Sequence, residues 1–96
     1  MAVQVYIPTA FRRATANVAK VEVDAYDVTD LLEALEKRYE GLRGLVRDEA
    51  GKIHHHVNVY VNNEEIQALE GLATPLKDGD EVSIIPAMAG GALGAR

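Results

Sequence analysis

Three groups in this chain could do chemistry: the run His54, His55 and His56, the single serine Ser83, and the pair Gly90 and Gly91 near the C-terminus. Adjacent imidazoles raise the question of a metal. Alternation along an extended chain puts His54 and His56 on one face and His55 on the other, so at most two could share an ion. A zinc-type site needs three or four ligands, the sequence identifies no others, and there is no cysteine. The histidines therefore read as the polar entrance to a strand, and no metal site is expected.

Ser83 lies in "EVSIIP" without a Gly-x-Ser-x-Gly elbow, and the carboxylates are scattered, so no pairing of nucleophile and base is visible. Gly90 and Gly94 match G-x-x-x-G, but no apolar helix of about 20 residues contains them. What remains is the terminal stretch "AMAGGALGAR", in which two glycines without side chains are followed by Ala92 to Arg96.

The rest of the chain must position that end. Ninety-six residues fit one domain with one core. Hydrophobic residues at 48% and charged ones at 26% are the composition of a globular domain rather than a disordered one. No apolar run reaches the roughly 20 residues of a membrane span, and "MAVQVYIPTAF" alternates instead of building a signal-peptide core, so a cytoplasmic protein without a membrane partner is expected. Net charge is −5; residues 1–48 contribute −1 and residues 49–96 contribute −4. That balance disfavours nucleic acid, which needs clustered Lys and Arg, and points to a basic protein surface facing the C-terminal half.

"VQVYI" and "KVEVDA" alternate with period 2, placing Val3, Val5, Ile7, Val21, Val23 and Ala25 inward. The loop 8–17 between them is compatible with an antiparallel pair. In "DVTDLLEALEKRY" the period becomes helical through Val28, Leu31, Leu32, Leu35 and Tyr39, with Asp27 as N-cap and Gly41 as stop. Residues 41–52 read as a connecting loop with a turn around Leu42 to Val46. "HVNVYV" is a third strand, closed by Asn62 and Asn63. A brief pairing is expected near Glu65 and Ile66, and "EVSIIP" is the last strand, with Val82 and Ile84 inward and Pro86 ending it. This leaves Ile85, and Tyr60 one strand earlier, on the outward face as a candidate docking patch unless the loop 41–52 covers them.

"HVNVYVNNEEI" followed by "GLATPLKDGDEVSIIPAMAGG", together with "VQVYIPTAFR" and "TDLLEALEKRY", resembles the ThiS/MoaD-type ubiquitin-like sulfur carriers, and most of all their CysO branch dedicated to cysteine biosynthesis. The resemblance runs over residues 1–91. It implies an α+β fold of the ubiquitin-like β-grasp type: a mixed sheet of about five strands packed on one main helix, with a flexible C-terminal tail. The expected division is a β-grasp domain at 1–86, a reactive tail at 87–91 and a removable extension at 92–96.

The resemblance also implies a carrier with no catalytic residues of its own and no bound cofactor. ATP would be used by an activating partner, which adenylates the carboxylate of Gly91 and exchanges AMP for sulfur. The resulting thiocarboxylate would serve a biosynthetic acceptor enzyme making cysteine, or molybdopterin, thiamin, thiolated tRNA or a thiosugar. Ala87, Met88, Ala89 and Gly90 would thread the partner's active site. The chain departs from the family's reactive form in "ALGAR": the bond between Gly91 and Ala92 would have to be cut, by family analogy through a JAMM-type zinc peptidase. The alternative implied is a protein modifier joined through Gly91 to lysine.

Overall fold

The structure, a computed structural model, describes residues 2–86. The alternating segments are strands: β1 (Ala2–Tyr6), β2 (Lys20–Asp24), β3 (Val57–Val61), the two-residue β4 (Glu64–Glu65) and β5 (Glu81–Pro86). They form one sheet in the order β2-β1-β5-β3-β4, with β5 parallel to β1 and every other neighbour antiparallel. The last strand among the described residues thus lies at the centre of the sheet, between β1 and β3.

The helix α1 (Val28–Arg38) begins where Asp27 accepts the Asp30 N–H on its Oδ1 at 2.7 Å, satisfying one of the first-turn donors. Its Val28, Leu31, Leu32 and Leu35 are buried against the inward valines of β1, β2 and β3 and against Val82 and Ile84 of β5. Each such side chain contributes about 1.5–3 kcal/mol on leaving water. The helix ends at Tyr39, whose backbone turns extended. Gly41 is therefore not the stop that the sequence implied; it sits in the following 3-10 turn, Glu40–Leu42, where a Cβ would lie 3.1 Å from the Ala14 Cβ.

Two loops hold more structure than their sequences announce. Thr9–Thr15 is a 3-10 helix, pinned by Phe11, which is buried in the core, and by Thr15, whose hydroxyl donates to the Val18 carbonyl at 2.9 Å with the Arg12 carbonyl 3.3 Å away. It ends in Ala16 and Asn17, both in the left-handed region with φ of 54° and 68°. The loop after α1 buries Leu42 and Val46, and Arg47 forks onto Glu36 of α1 through Nε at 3.0 Å and Nη2 at 2.8 Å. Glu36 holds Arg47 above the ordinary arginine range, chiefly by that hydrogen bond; partial burial opposes it, and the charges of Glu36 and Glu33 add to it. This loop packs on the helix side, so it does not cover the outer face of the sheet.

Candidate functional site

On the outer face, the register places Lys20, Tyr6, Ser83, Tyr60 and Glu65 in one row across β2, β1, β5, β3 and β4. Ile85, one step along β5 toward the C-terminus, lies opposite Asn58. Alternation explains the composition: β5 sends Val82 and Ile84 inward, and Ile85 therefore faces out, 48% exposed. Tyr60 is half-buried. Tyr6, 38% exposed, joins them across Ser83, with the Lys20 Nζ 5.9 Å from its ring centroid. Ile85 and Tyr60 are outward as expected, while Tyr6 was missed. Its signal was present in the period of "VQVYI", which puts Tyr6 on the face opposite Val5 and Ile7.

This apolar trio adjoins the exit of the chain. Pro86 ends β5 beside Val57, and the parallel pairing with β1 brings the same end of β5 toward Pro8. Ala87, Met88, Ala89, Gly90, Gly91 and Ala92, expected to be the tail and its processing point, lie outside the described residues.

The histidines stand at the entrance of β3, as expected, but in a turn rather than in extended chain. Residues 54–57 make a turn in which the Val57 N–H donates to the His54 carbonyl at 2.9 Å. The His54 and His56 ring centroids are 5.2 Å apart, as alternation implies, but those of His55 and His56 are 5.5 Å apart, so the turn does not set His55 apart from the other two. The His54 Nε2–H donates to the Gly44 carbonyl at 2.8 Å, which ties the turn to the loop after α1. Among the described residues, no group of three or more His, Cys, Asp or Glu could hold a metal ion. No helix among them is long and apolar enough to cross a membrane.

The carboxylates of the C-terminal half also lie differently from the expectation drawn from the halves. Asp78, which accepts from the Ala2 N–H, and Asp80, which accepts from the Asn62 side chain, sit at the end of the sheet away from Pro86. Chain position and surface position separate here because β5 crosses the whole sheet between its acidic start and its uncharged end.

A mixed sheet with a central C-terminal strand, one helix packed across it and an exposed apolar patch beside the exit define a ubiquitin-like β-grasp domain of the carrier type. A profile of the ThiS family matches residues 5–91, and the chain belongs to that family. The sulfur carrier protein CysO of Mycobacterium tuberculosis (strain H37Rv) is 40% identical over 93 residues, covering 95% of this chain and 100% of its own. Small archaeal modifier protein 3 of Haloferax volcanii is 48% identical over 73 residues, covering 75% of this chain and 76% of its own. A chain in the crystal structure of the Amycolatopsis orientalis BexX/CysO complex superposes with a TM-score of 0.87 at 38% identity, covering 93% of this chain and 99% of that one. These relatives are named as small carriers and modifiers rather than as enzymes, and one of them is seen in a complex with a partner protein.

Proposed function

We propose that this chain carries sulfur on Gly91. After cleavage between Gly91 and Ala92, the Gly91 carboxylate attacks the α-phosphate of ATP in an activating enzyme and releases pyrophosphate. Sulfide then adds to the acyl carbon, AMP leaves with the C–O electron pair, and a thiocarboxylate remains. Adenylation is needed because a carboxylate oxygen is a poor leaving group until it is esterified. The thiocarboxylate hands its sulfur to a biosynthetic acceptor enzyme in the cytoplasm, where ATP is at hand. By the likeness to CysO the first candidate is a cysteine-forming enzyme, ahead of those making molybdopterin, thiamin, thiolated tRNA or a thiosugar.

The observation that carries this reading is the extent of the family match, which ends at Gly91. Tyr60, Ile85 and Tyr6 supply the docking patch, while Ala87 to Gly90 span roughly 13 Å when extended, at about 3.3 Å per residue, and thread the partner's site. Glycine suits the reacting end because it fits a narrow channel in nearly any backbone conformation. The test is intact-mass analysis of a chain ending at Gly91, incubated with ATP, sulfide and the host's activating enzyme. Exchange of one oxygen for sulfur is expected, and an unchanged mass would refute the reading. In the native host, a form ending at Gly91 should accumulate and should disappear when the JAMM-type zinc peptidase is deleted.

The likeness to an archaeal modifier favours one alternative, in which a lysine amine attacks activated Gly91 and forms an isopeptide. Gly91 remnants on lysines of other proteins, found in digests of the host proteome, would select it.

A further inference from the structure

Residues 1–21, 50–63 and 82–96 contain no Asp or Glu. These stretches are far apart in the chain, and the sheet brings residues 6–20, 54–57 and 83–86 to one end. Tyr6 pairs with both Lys20 and Ser83, Pro86 pairs with Val57, and the His54–His56 turn directly precedes Val57. The 3-10 helix that follows Pro8 adds Arg12 and Arg13 to the same end, with the Arg12 Nε donating to the Ile7 carbonyl at 3.2 Å. Arg13, Lys20, His55 and His56 are exposed. Two carboxylates flank this end: Glu40, on the turn whose Gly41 packs against Ala14, and Glu65, which lines one cavity with His54 and His55.

The opposite end is acidic. Asp24 pairs with Ala2, Asp78 accepts from the Ala2 N–H, Asp80 accepts from the Lys77 N–H, and Glu64 sits at the hairpin that joins β3 to β4. Asp27 and Asp30 at the start of α1 extend it. Lys77 stands among these groups. A protein of net charge −5 thus places Arg12, Arg13 and Lys20 at the end where the chain continues beyond Pro86, with most of the named carboxylates at the other.

We infer that this end is a cationic docking surface, fitted to a partner protein whose active-site entrance is rimmed by carboxylates. This reverses the basic partner that the charge of the sequence halves implies. An apolar centre at Tyr6 and Ile85 with a cationic rim is the layout of a protein interface, a dry middle within a polar border. A nucleic acid would meet few Lys and Arg among the described residues here, and repulsion from the other end. Such a charge arrangement orients the approaching carrier with its exit toward the partner, which raises the association rate more than the final affinity. The inference rests on the proposed function only in taking the activating enzyme as the partner.

The test measures association of the chain ending at Gly91 with the activating enzyme in the absence of ATP, at about 50 mM and about 500 mM salt. Arg13→Glu combined with Lys20→Glu should slow association at least about tenfold at the lower salt, and the deficit should shrink at the higher. Arg13→Gln combined with Lys20→Gln should fall between this variant and the unaltered protein. Glu64→Lys, at the far end, should stay within about twofold of the unaltered rate, and circular dichroism checks that each variant is folded. Unchanged association of the Glu variant, a deficit independent of salt, equal slowing by Glu64→Lys, or absence of binding by the unaltered chain would overturn the inference. So would RNA binding to the unaltered chain more tightly than the enzyme does at the same salt. Sulfur loading is not read in this assay. A chain that docks with this charge dependence but never gains sulfur removes the proposed function and leaves the docking surface standing; the converse result removes only the surface.

Discussion

Ile84 and Ile85 are neighbours on β5 with opposite duties, so truncating each in turn separates folding from docking. Ile84 is 1% exposed and packed in the core; Ile85 is 48% exposed on the outer face. Ile84→Ala removes buried carbons and leaves a cavity that the surrounding side chains fill only in part, at a cost of about 2–5 kcal/mol. A domain of this length holds roughly 5–15 kcal/mol in all, so a substantial share of its stability is lost. The melting temperature should fall by on the order of 10–30 °C, from about 4–8 °C per kcal/mol in small domains. Ile85→Ala uncovers about half as much side chain and opens no cavity, so a loss of roughly 1 kcal/mol is expected. Its effect should appear instead in docking: truncating an apolar anchor costs about 1–2 kcal/mol of binding, roughly a 5- to 30-fold rise in the KM of the activating enzyme for the carrier. Urea denaturation followed by circular dichroism reads the first quantity, and thiocarboxylate formation against carrier concentration reads the second. Losses of stability within about 0.5 kcal/mol of each other would refute the assignment of the two faces. An unchanged KM for Ile85→Ala would remove Ile85 from the docking patch.

Asp27→Ala should lower the stability of the domain by about 1 kcal/mol, because one cap hydrogen bond disappears, whereas Asp27→Asn should retain most of it; urea midpoints decide. Glu36→Gln should cost about 1 kcal/mol, discounted for the partial exposure of the pair. The raised Arg47 pKa contributes stability that is present below the arginine's unfolded pKa and is lost only as pH rises through its folded one. On Arg47's account, the deficit of this variant should therefore stay flat from about pH 6 to about pH 9, and a deficit that vanished across that window would contradict the linkage. Ala16→Gly should stabilise the domain by roughly 0.5–1 kcal/mol, since Ala16 holds a φ of 54° that a Cβ disfavours; equilibrium unfolding of the two chains measures it.

The regular elements were legible because their periods are clean. Val3, Val5, Val21, Val23, Val57, Val59, Val82 and Ile84 alternate with polar or outward neighbours, and all are buried in the sheet. The stripe of α1 and its Asp27 cap follow from the same kind of local rule. Thr9–Thr15 escaped because a 3-10 helix held by one buried phenylalanine and one buried threonine has no period to detect. The histidine turn escaped because alternation was extended one segment beyond the strand that justified it, and the Val57 to His54 hydrogen bond bends the chain there. Of the outer patch, Ile85 and Tyr60 were found by parity. Tyr6 was not, since its partnership with them depends on β5 inserting between β1 and β3.

By itself, the sequence determined the strands, the helix, the inward residues and the family, because each depends on neighbours a few positions away or on a motif read in order. Only the tertiary structure decided which surfaces the charges share. Residues 6–20, 54–57 and 83–86 come together at one end through the pairing of β5 with both β1 and β3, while Asp78 and Asp80 of the C-terminal half lie at the other. The physical reason is that electrostatic potential depends on distance in space, and strand order, which no local period encodes, sets those distances.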